Sequence, residues 1–280
     1  MNDKPKKPGE SPEESDIQFE QLEPDDPKKV QKRIEEIRSR TPSDVDLLRY
    51  RVELGPNPTP QQRYDMEYQR GIYESYKPGI DDDGIENFLD GGLGRFGGVV
   101  EIGGGPGYIC EKFIGKNPRG IAICADIARS PRLKGAGVLF AECDITQRKS
   151  FDQIFPRMVS GNSLIVLSYC LDRVSDQQAA IQNFANLVRR KSGGNVGLIT
   201  VYLPAKSVSP GVGTLDYSSG GKWLTKGESA IEDYELIRKE CEARGLFVFK
   251  DGFTKHYGVC LDGYEELPCY CIALKPDLLR

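Results

Sequence analysis

The sequence has few of the residues that build metal sites, and it lacks long apolar segments. It contains one histidine, His256, and no two of its eight cysteines form a Cys-x-x-Cys pair, so we expect no bound metal. No apolar run reaches the roughly 18 residues of a membrane-spanning helix. Residues 1–16 also lack the apolar centre of a signal peptide. These absences predict a cytoplasmic protein with no membrane partner.

An excess of basic charge is also missing. The chain has 38 Lys and Arg residues against 42 Asp and Glu residues, which gives a formal net charge of −4. Proteins that bind nucleic acid gain much of their affinity by neutralising phosphates, so we expect no nucleic-acid partner. A length of 280 residues is enough for one large domain with an appendage or for two small domains, and the 38% of apolar residues is enough to build a buried core. The sequence carries no signal for an oligomeric state.

The chain before residue 98 differs in composition from the rest. Residues 1–25 are rich in proline and charge and poor in apolar side chains, which predicts a disordered tail. Residues 26–97 are predicted to form a helical extension that caps the main domain. It would begin with a charged helix over 26–40 and continue with a second helix over 60–76, followed by a short helix near 84–90.

The second of these helices has a clear start signal and one aromatic face. Thr59, Pro60 and Gln62 form a capping box with a proline in the first helical position. Tyr64 and Tyr68 then recur four residues apart, in line with Ile72 and Tyr76. Two interpretations of this face stay open: the tyrosines cover a ligand, or they pack against the main domain.

From residue 98 onward, short apolar runs alternate with helical stretches. The runs are largely unbroken by polar residues, which is typical of strands buried on both faces: they cover 99–102, 120–125, 138–143, 163–168 and 196–203. Helices are predicted near 106–116, 147–158 and 175–191, the last starting with a capping box from Ser175 and Gln178. This alternation predicts a doubly wound α/β sheet that is mostly parallel.

The C-terminal part breaks the alternation. A helix over about 228–244 is followed by two apolar runs, 246–253 and 268–275, with no helix between them. Two strands joined by a loop form an antiparallel pair. We therefore predict an α/β domain over 98–280, whose seven-stranded, mostly parallel sheet has an antiparallel C-terminal strand.

The first predicted strand runs into a glycine-rich turn with the sequence Glu101-Ile102-Gly103-Gly104-Gly105-Pro106-Gly107. Glycines permit a tight turn and a close approach of the backbone to a ligand. The helix that follows offers free N–H groups to an anionic group. The dinucleotide-binding fingerprint would place its third glycine at position 108, where Tyr108 stands, so the motif has a different spacing.

This Glu-x-Gly-x-Gly-x-Gly spacing resembles motif I of the class I S-adenosylmethionine-dependent methyltransferases, and the resemblance covers roughly residues 98–280. It implies that S-adenosylmethionine is the cofactor and that the glycine loop wraps its amino-acid end, through Gly103, Gly104, Gly105 and Gly107. Glu101 is implied to help hold the methionine portion.

The next two strand ends carry acidic residues that agree with this resemblance. Asp126 ends the second strand, 19 residues beyond Gly107, where a carboxylate can accept hydrogen bonds from ribose hydroxyls. The resemblance implies that Asp144, after the third strand, accepts from the adenine amino group. Ile127 and Ile145, which follow the two acids, are further candidate cofactor contacts. Either acid alone could instead cap a helix.

The segment after the fourth strand supplies the catalytic candidates. Ser168-Tyr169-Cys170-Leu171-Asp172-Arg173-Val174 is similar to the corresponding segment of many small-molecule methyltransferases, with Asp172-Arg173 in place of their histidines. Ser168 is a candidate cofactor contact, Asp172 a candidate general base and Tyr169 a candidate substrate contact. Asp172 could instead pair with Arg173 or cap a helix, and Tyr169 could simply pack.

The resemblance implies methyl transfer to an oxygen or nitrogen nucleophile of a small molecule. The Gly- and Ser-rich segment 204–227, which holds Trp223, is predicted to form the substrate pocket together with the tyrosine-bearing helix. A methyltransferase acting on a protein and a non-catalytic interaction protein are alternatives. An NAD-dependent oxidoreductase is disfavoured by Tyr108 and by the lack of a Tyr-x-x-x-Lys pair after the fourth strand.

Overall fold

The computed structural model of the chain describes residues 58–69, 85–89, 91–134, 137–158, 162–171, 174, 176–190, 194–202, 230–260 and 263–277. Five α-helices lie in these ranges: α1 (Pro60–Gln69), α2 (Ile85–Phe88), α3 (Tyr108–Lys116), α4 (Gln177–Arg189) and α5 (Ala230–Ala243). The strands are β1 (Gly98–Ile102), β2 (Ile121–Asp126), β3 (Leu139–Glu142), β4 (Ser163–Ser168), β5 (Val196–Tyr202), β6 (Leu246–Cys260) and β7 (Gly263–Pro276).

All seven strands form one sheet in the order β3-β2-β1-β4-β5-β7-β6. The first five strands are parallel, while β7 runs antiparallel to both β5 and β6. The predicted fold class is therefore confirmed. Strand order reverses between β1 and β4, so their carboxyl ends border the crevice in which doubly wound sheets bind ligands.

Apolar side chains cover both faces of the sheet, which explains the unbroken apolar strands. On one face, Ile109 and Phe113 of α3 pack with Phe88 of α2 against the sheet. On the other face, Phe184 of α4 and Ile237 of α5 belong to a second buried cluster. Burial on both faces removes the polar-apolar alternation of a half-exposed strand.

Two helix predictions near the third and fourth strands were wrong in detail. The helix predicted over 147–158 consists of two short 3-10 segments, Arg148–Gln153 and Phe155–Arg157. Pro156 lacks the N–H that a continuous α-helix needs, which favours the break. At the start of α4, the capping side chain is that of Asp176, which accepts a hydrogen bond from the Ala179 N–H (2.9 Å). Ser175, the predicted cap, lies outside the described residues.

The C-terminal strands are longer than predicted. The segment between 253 and 268, which was expected to be a loop, is instead mostly strand. β6 and β7 pair without interruption from Lys250 to Cys260 on β6, and a bulge lies between Val248 and Lys250. Only residues 261 and 262 separate the two strands. The polar residues of this stretch hid it from a search for apolar runs.

The N-terminal extension is described only in part. The reciprocal hydrogen bonds of a capping box join Thr59 and Gln62 at the start of α1: the Gln62 N–H donates to Thr59 Oγ1 (3.2 Å), and the Thr59 N–H donates to Gln62 Oε1 (2.9 Å). The predicted continuation of this helix to residue 76 lies outside the described residues. So do the predicted tail over 1–25, the helix over 26–40 and the segment 204–227.

Candidate functional site

Three glycines shape the turn between β1 and α3. Gly103, Gly105 and Gly107 have φ angles of 68°, 49° and 77°, in the left-handed region that favours glycine. A Cβ atom on Gly103 would lie 2.3 Å from Cys170 Sγ. The turn therefore lies directly against the segment that follows β4, at the point where the strand order reverses.

Glu101 holds the start of α3 to the sheet from below the turn. Its carboxylate, on a side chain that is 1% exposed, accepts a hydrogen bond from the Cys110 N–H (2.9 Å). Gly107, which precedes α3, offers no side chain to cap the helix, so Glu101 supplies an acceptor for the free N–H groups of its first turn. Burial raises the pKa of Glu101 from 4.5 to about 7.

Asp126 joins the end of β2 to the glycine turn. Its Oδ2 atom accepts hydrogen bonds from the Gly105 N–H (2.9 Å) and from the Tyr68 hydroxyl (3.1 Å), and Oδ1 accepts from the Ala128 N–H (3.2 Å). The residue is 6% exposed, and this burial raises the pKa of its carboxyl above the ordinary value. Ile127, the next residue, is half-buried.

Tyr68 was recognised in the sequence only as one member of an aromatic face. In the structure it is 9% exposed, and a Cβ atom on Gly105 would lie 3.2 Å from its hydroxyl oxygen and 3.3 Å from its ring. Tyr64 stacks beside it, with ring centroids 6.1 Å apart. No sequence signal linked Tyr68 to Asp126, 58 positions away, so this contact was missed.

The candidates after β3 separate into one exposed and one buried residue. Asp144 is exposed, and its Oδ1 atom accepts hydrogen bonds from the N–H (2.9 Å) and hydroxyl (2.7 Å) of Thr146. Ile145 lies in the apolar core, and its carbonyl accepts from the Asn183 side chain (2.8 Å). Asp144 thus offers a polar group at this edge of the sheet, whereas the Ile145 side chain packs inward.

The end of β4 lies against the glycine turn. Ser168 is buried, and Tyr169 is the one residue other than glycine with a positive φ angle (47°) among the described residues. The Tyr169 N–H donates to the carbonyl (3.1 Å) and to Oγ1 (3.2 Å) of Thr200, on β5. Thr200, which the sequence analysis did not single out, thereby stabilises this strained turn. Asp172 lies outside the described residues.

Neither a metal centre nor a membrane span appears in the part of the chain that the structure describes. No group of three or more His, Cys, Asp or Glu side chains there could hold a metal ion. No helix among the same residues is long and apolar enough to cross a bilayer.

Comparison with known proteins identifies the fold. No family's sequence profile and no curated protein sequence matches the chain. An O-methyltransferase family protein from Burkholderia thailandensis is similar in structure, with a TM-score of 0.50 and 15% identity over 79% of this chain and 61% of that protein. An S-adenosylmethionine-dependent methyltransferase from Anabaena variabilis is 12% identical, with a TM-score of 0.49 over 79% of this chain and 96% of that protein.

The chain therefore spans about three fifths of the Burkholderia protein's length. Its likeness to that structure is one of fold, which agrees with the sheet order and with the glycine turn at the end of β1. The chain has the mixed α/β fold of the class I S-adenosylmethionine-dependent methyltransferases.

Proposed function

We propose that the chain is an S-adenosylmethionine-dependent methyltransferase that transfers a methyl group to an oxygen or nitrogen atom of a small molecule. The observation that carries this proposal is the hydrogen bond between the Gly105 N–H and Asp126 Oδ2 (2.9 Å). It joins the glycine turn and the acidic end of β2 into one unit at the carboxyl edge of the sheet, where doubly wound folds bind nucleotide-like ligands.

The residues of this unit fit such a cofactor. Asp126 is a buried acceptor at the carboxyl end of β2, where a ligand hydroxyl can donate to a carboxylate oxygen. The glycines leave the backbone of the turn bare, which permits a close approach by the ligand. Asp144 provides a further exposed acceptor after β3.

The chemistry divides between the cofactor and the chain. When bound, S-adenosylmethionine supplies a methyl group that its sulfonium centre has already activated. The residues of the chain then have to bind and orient both partners and keep water out. Glu101, Gly103, Gly104, Gly105, Gly107, Asp126 and Asp144 are proposed to serve the cofactor side.

The end of β4 is proposed to serve the substrate side. Cys170 contacts the glycine turn, so the strained turn at Tyr169 lies next to the cofactor side of the crevice. Tyr169 is proposed to contact the substrate, and Asp172 is proposed as the base when the nucleophile must lose a proton.

Calorimetric titration tests the cofactor assignment. We expect S-adenosylmethionine and S-adenosylhomocysteine to bind the wild type and NAD not to bind. Asp126→Ala should abolish binding, because it removes the acceptor at the end of β2. Asp152→Ala, which changes an exposed acid away from the glycine turn, is the matched control and should bind as the wild type does.

The same titration can contradict the proposal in two ways. If neither sulfur ligand binds the folded wild-type protein, the methyltransferase assignment fails and a non-catalytic role takes its place. If NAD binds instead, the result favours an NAD-dependent oxidoreductase with an unusual glycine spacing.

A further inference from the structure

We propose that Thr200, on β5, is a positioning residue for the cofactor site. Its hydroxyl holds the turn after β4 in a left-handed conformation, and this conformation keeps the glycine turn in the shape that binds the ligand. The inference rests on the proposed function and deepens it. Thr200 acts through the backbone of Tyr169 and through Cys170, and it does not itself touch the ligand.

The place of Thr200 in the sheet calls for a valine rather than a threonine. The residue is fully buried, and its neighbours along β5, Ile199 and Val201, belong to the apolar core. A hydroxyl in such surroundings is costly unless it forms hydrogen bonds. Valine has the same shape without that cost, so the hydroxyl is expected to serve a purpose that valine cannot.

The hydroxyl forms two hydrogen bonds, both with the end of β4. Thr200 Oγ1 donates to the Leu167 carbonyl (3.3 Å) and accepts from the Tyr169 N–H (3.2 Å). The same N–H also donates to the Thr200 carbonyl (3.1 Å). That backbone bond continues the pairing of β4 with β5, and any residue at position 200 could supply it. Only the hydroxyl joins Leu167 to Tyr169.

These bonds hold a conformation that tyrosine does not adopt readily. Tyr169 has a φ angle of 47°, in the left-handed region, where the Cβ atom of any residue other than glycine is crowded. Such backbone strain persists only where the surrounding structure enforces it. Without the Thr200 hydroxyl, we expect a larger share of the molecules to relax this turn to negative φ angles.

The strained turn determines what lies against the glycine turn. Cys170 follows Tyr169, and its Sγ donates a hydrogen bond to the Ile102 carbonyl (3.7 Å). A Cβ atom on Gly103 would lie 2.3 Å from Cys170 Sγ, 2.5 Å from Cys170 Cβ and 3.4 Å from the Ser168 carbonyl oxygen. Gly103 is thus packed directly on Cys170, so a change of φ at Tyr169 displaces the side chain on which the glycine turn rests.

Cofactor affinity should therefore depend on Thr200. When a ligand binds only the molecules that keep the competent turn, its apparent Kd equals the intrinsic Kd divided by the fraction of those molecules. Loss of the hydroxyl removes about one hydrogen bond from the competent state, which should raise the apparent Kd about tenfold.

Calorimetric titration of the full chain with S-adenosylhomocysteine tests this dependence. Thr200→Val keeps the shape of the side chain and removes the hydroxyl, so it should weaken binding about tenfold. Thr200→Ser keeps the hydroxyl and should bind as the wild type does. Ile199→Val removes one methyl group from the neighbouring buried position of β5 and should also leave the affinity unchanged. Thermal unfolding checks that each variant is folded.

A second comparison separates positioning from a general effect on stability. Glycine adopts left-handed φ angles without strain, so Tyr169→Gly makes the turn independent of the Thr200 hydroxyl. In the Tyr169→Gly background, Thr200→Val should therefore change the affinity by no more than about twofold, against about tenfold in the wild-type background. A loss that comes only from a weakened core would be the same in both backgrounds.

Several results would overturn the inference. If Thr200→Val binds as tightly as the wild type, the hydroxyl does not position the site. An equal loss in both backgrounds, or an equal loss in Thr200→Ser, would assign Thr200 to the core alone. So would a Thr200→Val protein that fails to fold and does not recover in the Tyr169→Gly background. If the wild type does not bind the ligand, the proposed function itself fails, and this outcome is seen before any substitution is made.

Discussion

At the scale of single residues, two buried carboxylates on the neighbouring strands β1 and β2 bind different segments of the chain. Glu101 in β1 binds the first turn of α3, while Asp126 at the end of β2 binds the glycine turn and Tyr68. Each is buried, and burial raises the pKa of each carboxyl because it penalises the charged form. Nearby negative charge on Asp126 raises the pKa of Glu101 further.

The raised pKa of Glu101 predicts a pH dependence of stability. The folded state holds the proton of Glu101 up to about pH 7, whereas the unfolded chain releases it near 4.5. The contribution of Glu101 to stability is therefore fully present below about pH 4.5 and is lost as the pH rises to about 7. The loss is on the order of 3 kcal/mol, at 1.36 kcal/mol per pKa unit.

Glu101→Gln removes this titration and keeps an acceptor for the Cys110 N–H. Urea unfolding should show that the variant becomes more stable relative to the wild type as the pH rises from about 4.5 to about 7. Glu142→Gln, at an exposed position on β3, should show no such gain. A difference for Glu101→Gln that does not vary with pH would contradict the prediction.

At the scale of elements, two of the helices that pack on the sheet, α3 and α4, begin in different ways. Gly107, before α3, has no side chain, and an acceptor from the strand below takes its place. Asp176 caps α4 with its own side chain and accepts from the Ala179 N–H (2.9 Å). The start of α3 thus depends on tertiary packing, whereas the start of α4 is a local property of the chain.

The cap of α4 predicts a modest, local effect on stability. Asp176→Ala leaves the free N–H groups of the first turn without their side-chain acceptor and should lower the free energy of unfolding by about 1 kcal/mol. Asp176→Asn keeps an acceptor oxygen, so its free energy of unfolding should differ from that of the wild type by no more than about 0.3 kcal/mol. Urea unfolding measures both variants, and equal losses would argue against the cap.

At the scale of the whole molecule, one sheet carries the core on both faces and the candidate site at one edge. The site draws on the ends of β1, β2 and β4 and on α1, so its parts come together only in the complete fold. A ligand that binds this folded site and not the unfolded chain must stabilise the fold by mass action.

Ligand binding should therefore raise the unfolding temperature. S-adenosylhomocysteine at a hundred times its Kd contributes about 2.7 kcal/mol, which corresponds to a rise of roughly 5–10 °C for a domain of this size. Asp126→Ala should show no rise at the same ligand concentration. A rise of equal size in that variant would mean that the ligand binds elsewhere, and differential scanning calorimetry separates these outcomes.

The sequence by itself determined the central strands and the glycine turn. The predicted strand over 163–168 has the same bounds as β4. A strand that is buried on both faces consists of an unbroken apolar run, which can be recognised in the local sequence. The spacing of Gly103, Gly105 and Gly107 indicated a turn of special backbone conformation, and all three have left-handed φ angles. These features depend on interactions between residues that are close along the chain.

Only the tertiary structure decided the features that join distant segments. Tyr68 meets Asp126 across 58 positions, and Thr200 stabilises the left-handed turn at Tyr169 across 31. Residues 254–260 extend β6 because they pair with β7, although their own side chains form no apolar run. The physical reason is the same in each case: the hydrogen bonds are made between segments that the fold brings together, so no local pattern in the sequence records them.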